Sequence, residues 1–474
     1  MINTMLNNTP NNTFCSPNNT EWQELISHFA QQSLHFLQNI EHFPVANLTP
    51  HLPETALPEQ GLGSEVTAKL VESELIPQMS GSRGPRYWGF VTGGATPVAT
   101  YADWLVAMLD QNVSKGGDSI ATQVEQQAIK WLVALFDLPD SFTGLCTTGA
   151  TASNFLAAVT ARQYAGEQQQ IDIAKQGMKH LDVEIFSACP HASMIKTLGL
   201  AGFGQDNVRY IKTLPDSEAM NPKDLERQLN NSQARSKIVI SSAATVTGTS
   251  FDDLQTIAGL CQAHAAWLHV DAAFGIFARL IPAKKHLSDG LELADSITLD
   301  GHKWLNVPYD CGFFFTRHQR LLVESCHVAA PYLVQSTTTP DFMSLGIENS
   351  RRFRALPVWM TIKAYGQAGI RFWVEKNCRQ AAILADYLDA SNHWQLVHPC
   401  ALNVVLFRPD EKHLASVSCS EILHQINRRG KVFFSPGQWQ GQHIIRAALS
   451  NWQTEDADIA IAIQELNTVA LQNT

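Results

Sequence analysis

Residues 237–273 read KIVISSAATVTGTSFDDLQTIAGLCQAHAAWLHVDAA. Lys237 to Ile240 is a short apolar run with the character of a buried strand, and residues 252–265 have the make-up of a helix. Trp267 to Val270 is a second buried-strand run, so the stretch reads as strand, crossover helix and next strand. Further strand-like runs at 184–187, 208–211, 296–299 and 312–315 alternate with helical segments. That alternation predicts an α/β layer architecture on a mostly parallel sheet. Ligands in open sheets of this kind sit beyond the carboxyl ends of the strands, so the residues just after each run are the candidates for chemistry.

Toward the N-terminus, Trp22, Leu25, Ile26, Phe29, Leu34 and Phe36 recur at helical spacing, which predicts an amphipathic helix over about 21–39. A proline-rich stretch follows, with Pro44, Pro50, Pro53 and Pro58, and then helical patterns near Gly63 and over 97–109. After about Ala364 the pattern changes to a long helix near 374–388, an apolar run at 402–407, a helix near 420–428 and a strand at 444–446. The expected organisation is therefore a disordered tail at 1–20, an N-terminal helical segment at 21–105, a large domain at 106–364 and a small C-terminal domain at 365–474.

At roughly 150 residues per domain, 474 residues allow about three structural units. The chain is 45% apolar and 16% charged, which excludes fibrous architectures and disorder throughout. It has 34 basic and 44 acidic residues, and the resulting net charge of −10 argues against a nucleic-acid partner. No run of 18 apolar residues predicts a membrane span. The opening MINTMLNNTPNNTFCSPNNT lacks the basic start and apolar middle of a secretory signal. Nine cysteines without a CxxC pair, and a lone CxxH at Cys261 and His264, support neither a disulfide framework nor a zinc site. No metal is expected, and a reducing cytoplasm fits this usage best.

Four features stand out. GLCTTGAT at 144–151 leads into an alanine-rich helix ending near Arg162; such a start leaves backbone N–H groups for an anion, or it is an ordinary glycine turn with a threonine cap. Asp271 ends an apolar strand with no partner evident in the sequence, so it caps a turn or meets a cationic ring nitrogen. Lys303, in DGHKW, sits beside apolar residues, where desolvation lowers a lysine pKa and makes the amine competent to form a Schiff base; a surface lysine is the plainer reading. His191, in PHAS, could stack on a planar ligand or simply start a helix. Together, an anion seat, a stacking histidine, an acid and a lysine are the parts that hold pyridoxal phosphate.

The segments TTGATASNFLAAVTAR, PHAS, AATVTGTSFDDL, HVDAAFG, DSITLDGHKWLNVPYDCG and SRRFRAL occur in one order along the chain. In this the sequence resembles the group II pyridoxal-phosphate-dependent decarboxylases, which include the aromatic L-amino acid, histidine and glutamate enzymes, over about residues 60–450. The resemblance implies fold type I: an N-terminal helical segment, a large domain with a seven-stranded mostly parallel sheet, and a small α+β C-terminal domain. It also implies an obligate homodimer with active sites at the subunit interface and an amino acid substrate.

Carried over residue by residue, Lys303 would be the Schiff-base lysine, Asp271 the partner of the pyridine nitrogen, and His191 the stacking histidine with Ala273 on the opposite face. Gly149, Ala150 and Thr151 would hold the phosphate, and Ser242, Asp300 and His302 would lie at the cofactor, His302 also near the substrate carboxylate. Pro331-Tyr332-Leu333 resembles the mobile catalytic loop, whose tyrosine returns a proton after carbon dioxide leaves; phenylalanine replaces it in aldehyde-forming relatives. Phe90, Val91 and Thr92 would border the substrate side chain.

Asp300 stands where the aromatic enzymes carry asparagine, and a carboxylate there repels a phosphate unless it is turned away or paired. The expected reaction is decarboxylation of an L-amino acid to its amine, with an aromatic substrate first. An acidic or other small substrate and an aldehyde synthase are the alternatives. An arginine exposed near Phe90–Thr92 would favour an acidic substrate. A nicotinamide-dependent Rossmann enzyme is disfavoured because no GxGxxG follows a strand. Intact Lys303, Asp271 and Tyr332 argue against a catalytically silent binding protein.

Overall fold

Seven strands form the central sheet of the computed structural model, which describes residues 21–327, 341–413 and 417–473. They are β1 (Thr143–Thr147), β2 (Val183–Ser187), β3 (Val208–Tyr210), β4 (Ser236–Ser242), β5 (Trp267–Asp271), β6 (Ser296–Asp300) and β7 (Gly312–Thr316), in the order β1-β7-β6-β5-β4-β2-β3. The pairs β3/β2, β2/β4, β4/β5 and β5/β6 are parallel, whereas β7 runs antiparallel to both β6 and β1. Strands β4 to β7 are buried almost throughout, which is why they read as continuous apolar runs: helices cover both faces of the sheet. The register pairs Ser242 with Asp271 and Asp271 with Thr298, so the carboxyl ends of β4, β5 and β6 finish along one edge.

Strand β1 was not evident in the sequence. Its residues TGLCT have weak strand character, yet all five pair with β7, and this tertiary partner overrides local preference. Its outer edge is closed by a buried ion pair. Glu125 Oε1 accepts the amide of Cys146 at 2.8 Å, and Arg351 Nη2 donates to the Cys146 carbonyl at 2.7 Å.

The C-terminal part is built on a four-stranded antiparallel sheet in the order β10-β11-β9-β8, from β8 (Trp394–His398), β9 (Val404–Pro409), β10 (Ser435–Trp439) and β11 (Gln442–Ala448). With helices Cys419–Arg428 and Asp456–Asn473 it encloses a second core that includes Leu384, Phe407, Ile422, Phe434 and Leu466. The runs at 402–407 and 444–446 are the centres of β9 and β11. The reading missed β8, β10 and the last helix. Helix Ala355–Asp389 joins the two cores and is interrupted at Gly366, whose backbone is non-helical (φ 61°, ψ −175°).

Helix Glu21–Gln38 forms as expected but buries none of its residues. Helix Pro97–Leu109 starts on Pro97, with the Thr96 hydroxyl accepting the Ala99 amide. Between these helices the chain crosses from one core to the other. Trp88 is fully buried in the C-terminal core and exchanges backbone hydrogen bonds with Phe433 and Ala448. A few residues later Gly93 lies against the Lys303 carbonyl, so closely that a Cβ there would fall 1.9 Å from that oxygen.

Candidate active site

The carboxyl edge of the large sheet opens into a cavity of about 540 Å³, within the range of small-molecule sites. The carboxyl ends of β1, β2, β4, β5 and β6 contribute. The turn after β1 supplies Gly149, Ala150 and Thr151, and the segment after β2 supplies His191. Ser242, Asp271 and Ala273 come from β4 and β5, and Asp300, His302 and Lys303 from β6 and the turn after it. Phe90 and Val91 enter from the N-terminal segment. Thr92 lies buried behind the wall, its hydroxyl 3.4 Å from that of Tyr309. Tyr332 falls outside the described residues.

Helix Ala150–Glu167 points its N-terminus into this cavity. Gly149 precedes it without a capping side chain, and the first-turn amides of a helix have no intrahelical acceptor. A Cβ at Gly149 would sit 3.1 Å from the His302 ring, so the bare backbone is what keeps this corner open. The helix also carries Asn154, which sequence reasoning overlooked. Asn154 Nδ2 donates to Asp271 Oδ2 and to Ser193 Oγ, both at 3.1 Å, while its Oδ1 accepts from His269 Nε2 at 3.1 Å.

The order of donors in this network assigns the protons. Trp267 Nε1 donates to Ser296 Oγ, which leaves the Ser296 hydrogen for His269 Nδ1 at 2.9 Å. His269 therefore carries its proton on Nε2, and burial pushes its pKa down to about 4. Ser193 Oγ accepts from Asn154 and so donates to His191 Nδ1 at 2.7 Å, and the Ser193 amide donates to the same nitrogen. The His191 proton is thereby assigned to Nε2. Its pKa lies below the ordinary histidine value, chiefly through burial. His191 thus starts its helix and also lines the cavity.

Asp300 is paired. Its Oδ1 accepts the Ala150 amide at 2.5 Å, and its Oδ2 lies 3.0 Å from Lys303 Nζ. His302 Nδ1 accepts the Cys311 amide, burial lowers its pKa, and Tyr309 stacks on the ring at 4.2 Å. Tyr309 and Arg446 are further wall residues the sequence did not single out. Arg446, on β11, is 5% exposed and has no hydrogen-bond partner for Nε or Nη2; burial pushes its pKa down to about 10, so it stays cationic. Cys189 also lines the cavity, but burial raises its thiol to about 11, which keeps it protonated.

These residues fit pyridoxal phosphate. The helix start suits a phosphate, Asp271 is held in place to meet a ring nitrogen, Lys303 offers an amine, and the Arg446 guanidinium lacks an anion.

Comparison with known proteins agrees with this fit. Residues 46–409 match the pyridoxal-dependent decarboxylase conserved domain. An aromatic-L-amino-acid decarboxylase of Bacillus atrophaeus is 28% identical over 428 residues, covering 88% of this chain and 87% of the relative. A 4-hydroxyphenylacetaldehyde synthase of Rhodiola rosea is 24% identical, covering 95% of each. In fold, the chain superposes on Oryza sativa TDC, solved with PLP and tryptamine, with a TM-score of 0.88 at 22% identity, covering 97% of this chain and 99% of that one. The chain belongs to the pyridoxal-dependent decarboxylase family, enzymes whose cofactor is pyridoxal phosphate and whose reaction removes the carboxylate of an amino acid.

Proposed function

We propose that the protein converts an aromatic L-amino acid to its amine and carbon dioxide. The observation that carries the substrate class is the count of cations. Among the described residues lining the cavity only Lys303 and Arg446 bear a fixed positive charge. Lys303 is the amine that holds the cofactor's aldehyde, and Arg446 receives the substrate's α-carboxylate, because a buried guanidinium with two unpartnered nitrogens gains most from a bidentate anion. Among these described lining residues no cation then remains for a second carboxylate. Arg83 and Arg86, the arginines nearest in sequence to Phe90–Thr92, are committed elsewhere, Arg83 to the Ala95 carbonyl and Arg86 to Asp458. The apolar walls of the cavity are instead Phe90, Val91, Val246 and Phe274, a lining for an apolar ring.

The chain's residues divide the work. Ala150 and Thr151 present the helix start to the phosphate, with Gly149 and Ser242 beside it. His191 and Ala273 would cover the two faces of the cofactor ring, and Asp271 would hold a proton at the ring nitrogen. When bound, pyridoxal phosphate supplies an electron sink for the bond pair left as carbon dioxide departs. His191, neutral with its hydrogen on Nε2, and Tyr332 are the candidates to move a proton at the α-carbon. His302 lies next to the substrate carboxylate, its ring backed by Tyr309.

The active assembly is a homodimer with its sites at the subunit interface. Supporting this, helix Glu21–Gln38 leaves Trp22 and Ile26 exposed, and helix Pro97–Leu109 leaves Tyr101, Trp104 and Met108 exposed. Phe90 and Tyr309 are likewise exposed at the cavity. Exposed large apolar side chains of this kind favour association. Cytoplasmic location is part of the same reading: the described cysteines are unpaired, and no described helix is long and apolar enough to cross a membrane.

The deciding experiment supplies purified protein and pyridoxal phosphate with dihydroxyphenylalanine, 5-hydroxytryptophan, tryptophan, tyrosine, histidine, glutamate and aspartate, and reads products by mass spectrometry. An aromatic amine is expected, and none from the Lys303→Ala variant. Amine from glutamate or aspartate alone would overturn the substrate class; aldehyde with oxygen uptake would overturn the reaction. Sedimentation at assay concentration is expected to show a dimer.

A further inference from the structure

Asp300 sits where the rest of the cavity is arranged for an anion from outside. Its carboxylate, 3% exposed, reaches across from the end of β6 to accept the first amide of helix Ala150–Glu167 at 2.5 Å. Gly149 at the N-cap has no side chain to do this locally. The other oxygen of Asp300 pairs with Lys303 Nζ at 3.0 Å. One acid of the chain thus occupies the helix start and the amine together, the two groups that the phosphate and the aldehyde of the cofactor require. His302, 3.6 Å away, adds no lasting counter-charge, because burial lowers its pKa.

We propose that Asp300 is an internal ligand of the cofactor seat, holding the helix start and Lys303 while the phosphate is absent and weakening phosphate binding when it arrives. Two consequences follow from electrostatics. Before loading, the Asp300–Lys303 pair keeps an otherwise unpaired ammonium and a bare helix N-terminus satisfied. After loading, Lys303 is committed to the cofactor, and the Asp300 carboxylate shares one helix start with a phosphate of like sign in a partly desolvated corner, where such repulsion is poorly screened. Asp300 therefore sets how tightly and how reversibly the cofactor is held. This inference rests on pyridoxal phosphate being the ligand of the cavity.

The substitution Asp300→Asn tests it, because an amide oxygen still accepts the Ala150 N–H while the charge is gone. Full-length protein stripped of cofactor is titrated, by quenching of its tryptophan fluorescence, with pyridoxal phosphate and separately with pyridoxal, which lacks the phosphate. Relative to wild type, Asp300→Asn is expected to bind pyridoxal phosphate about 10-fold more tightly and pyridoxal within about twofold, a difference of about 1.4 kcal/mol confined to the phosphate. Asp300→Ser, which removes the charge with a shorter polar side chain, is expected to shift in the same direction. Equal or weaker affinity of both variants for pyridoxal phosphate overturns the inference. So does an equal gain for both ligands, which would place the effect on Lys303 alone. Failure of wild type and variants alike to bind pyridoxal phosphate would instead overturn the cofactor reading beneath it.

Discussion

Asn154 and Asp271 are joined by a 3.1 Å hydrogen bond, and the donor is held in orientation from its far side by His269, whose Nε2–H meets the Asn154 carbonyl oxygen at 3.1 Å. The same Asn154 amide reaches Ser193 and, through it, His191. One buried side chain on helix Ala150–Glu167 thereby positions Asp271 directly and His191 through Ser193. In Asn154→Ala, Asp271 keeps only the Ala273 amide, and His269 Nε2–H is left buried without an acceptor. The expected cost is about 1–3 kcal/mol of stability, with a loss of roughly 10-fold in pyridoxal phosphate affinity, read by denaturant unfolding and by cofactor titration. Unchanged cofactor affinity would show that Asn154 serves the fold alone.

His269 makes acid stability a direct readout of that network. Burial holds its native pKa near 4, against an ordinary 6.5, so between these values the unfolded chain binds a proton that the native chain refuses. Its contribution to stability is therefore complete above about pH 6.5 and is lost as pH falls toward 4. His269→Gln, which takes up no proton, is expected to be less stable than wild type at pH 7, with the gap narrowing steadily down to pH 4.5. A gap that stays constant across that range would contradict the assignment of a neutral, buried imidazole.

Arg446 is expected to show stability and function moving in opposite directions. A buried guanidinium with two unpartnered nitrogens is costly in the unliganded protein. Arg446→Met fills similar space without the charge, so the stripped protein is expected to gain about 1–3 kcal/mol. Catalysis is expected to lose at least about 100-fold in kcat/KM, because the carboxylate loses its charge-assisted partner. The cofactor spectrum is expected to persist. A variant that retains wild-type KM would remove Arg446 from substrate recognition.

For Tyr332, the expectation rests on the likeness of Pro331-Tyr332-Leu333 to the catalytic loop of the family. Tyr332→Phe is expected to shift products from amine toward aldehyde and ammonia with consumption of oxygen. Paired mass-spectrometric and oxygen-electrode assays read this directly. Clean amine formation without oxygen uptake by the variant would sink the proton-return role.

The parts of this protein legible in its sequence are those where local pattern and burial coincide. Strands β4 to β7 read as apolar runs because both faces of the sheet are covered, and residues at the carboxyl ends of β4 to β6, Asp271 and Lys303 among them, line the cavity. Strand β1 did not read as a strand, since Thr143 and Gly144 owe their extended form to β7. Arg446 was out of reach for a different reason. It lies on a small sheet 143 residues beyond Lys303 in the chain, and only tertiary packing brings it to the cavity. Asn154 lies within one of the matching segments, but the resemblance assigns it no role. Its helix position alone said nothing of the acid it would meet, whereas Asp300 could be recognised in advance as needing a partner.

The last prediction concerns the pair that closes β1. Glu125 and Arg351 are both fully buried, joined at 2.7 and 3.2 Å, and they satisfy the amide and carbonyl of Cys146 on the open edge of the sheet. Arg351 also donates to the Val113 carbonyl and lies 4.9 Å from the centre of the Phe342 ring. Glu125→Leu strands a guanidinium in the core and frees a backbone amide, so a loss of about 3–5 kcal/mol is expected. In the double variant Glu125→Leu/Arg351→Leu the stranded charge is gone, but the Cys146 backbone groups remain buried and unpaired. Its deficit is expected to fall to about 1–3 kcal/mol without vanishing. Thr147 and the Gly149 turn follow directly from this strand, so both variants are also expected to hold pyridoxal phosphate less tightly than wild type. Denaturant unfolding with parallel cofactor titration checks the two claims together: a double variant as stable as wild type would mean that the pair serves only itself, and unchanged cofactor affinity would uncouple the edge of the sheet from the phosphate seat.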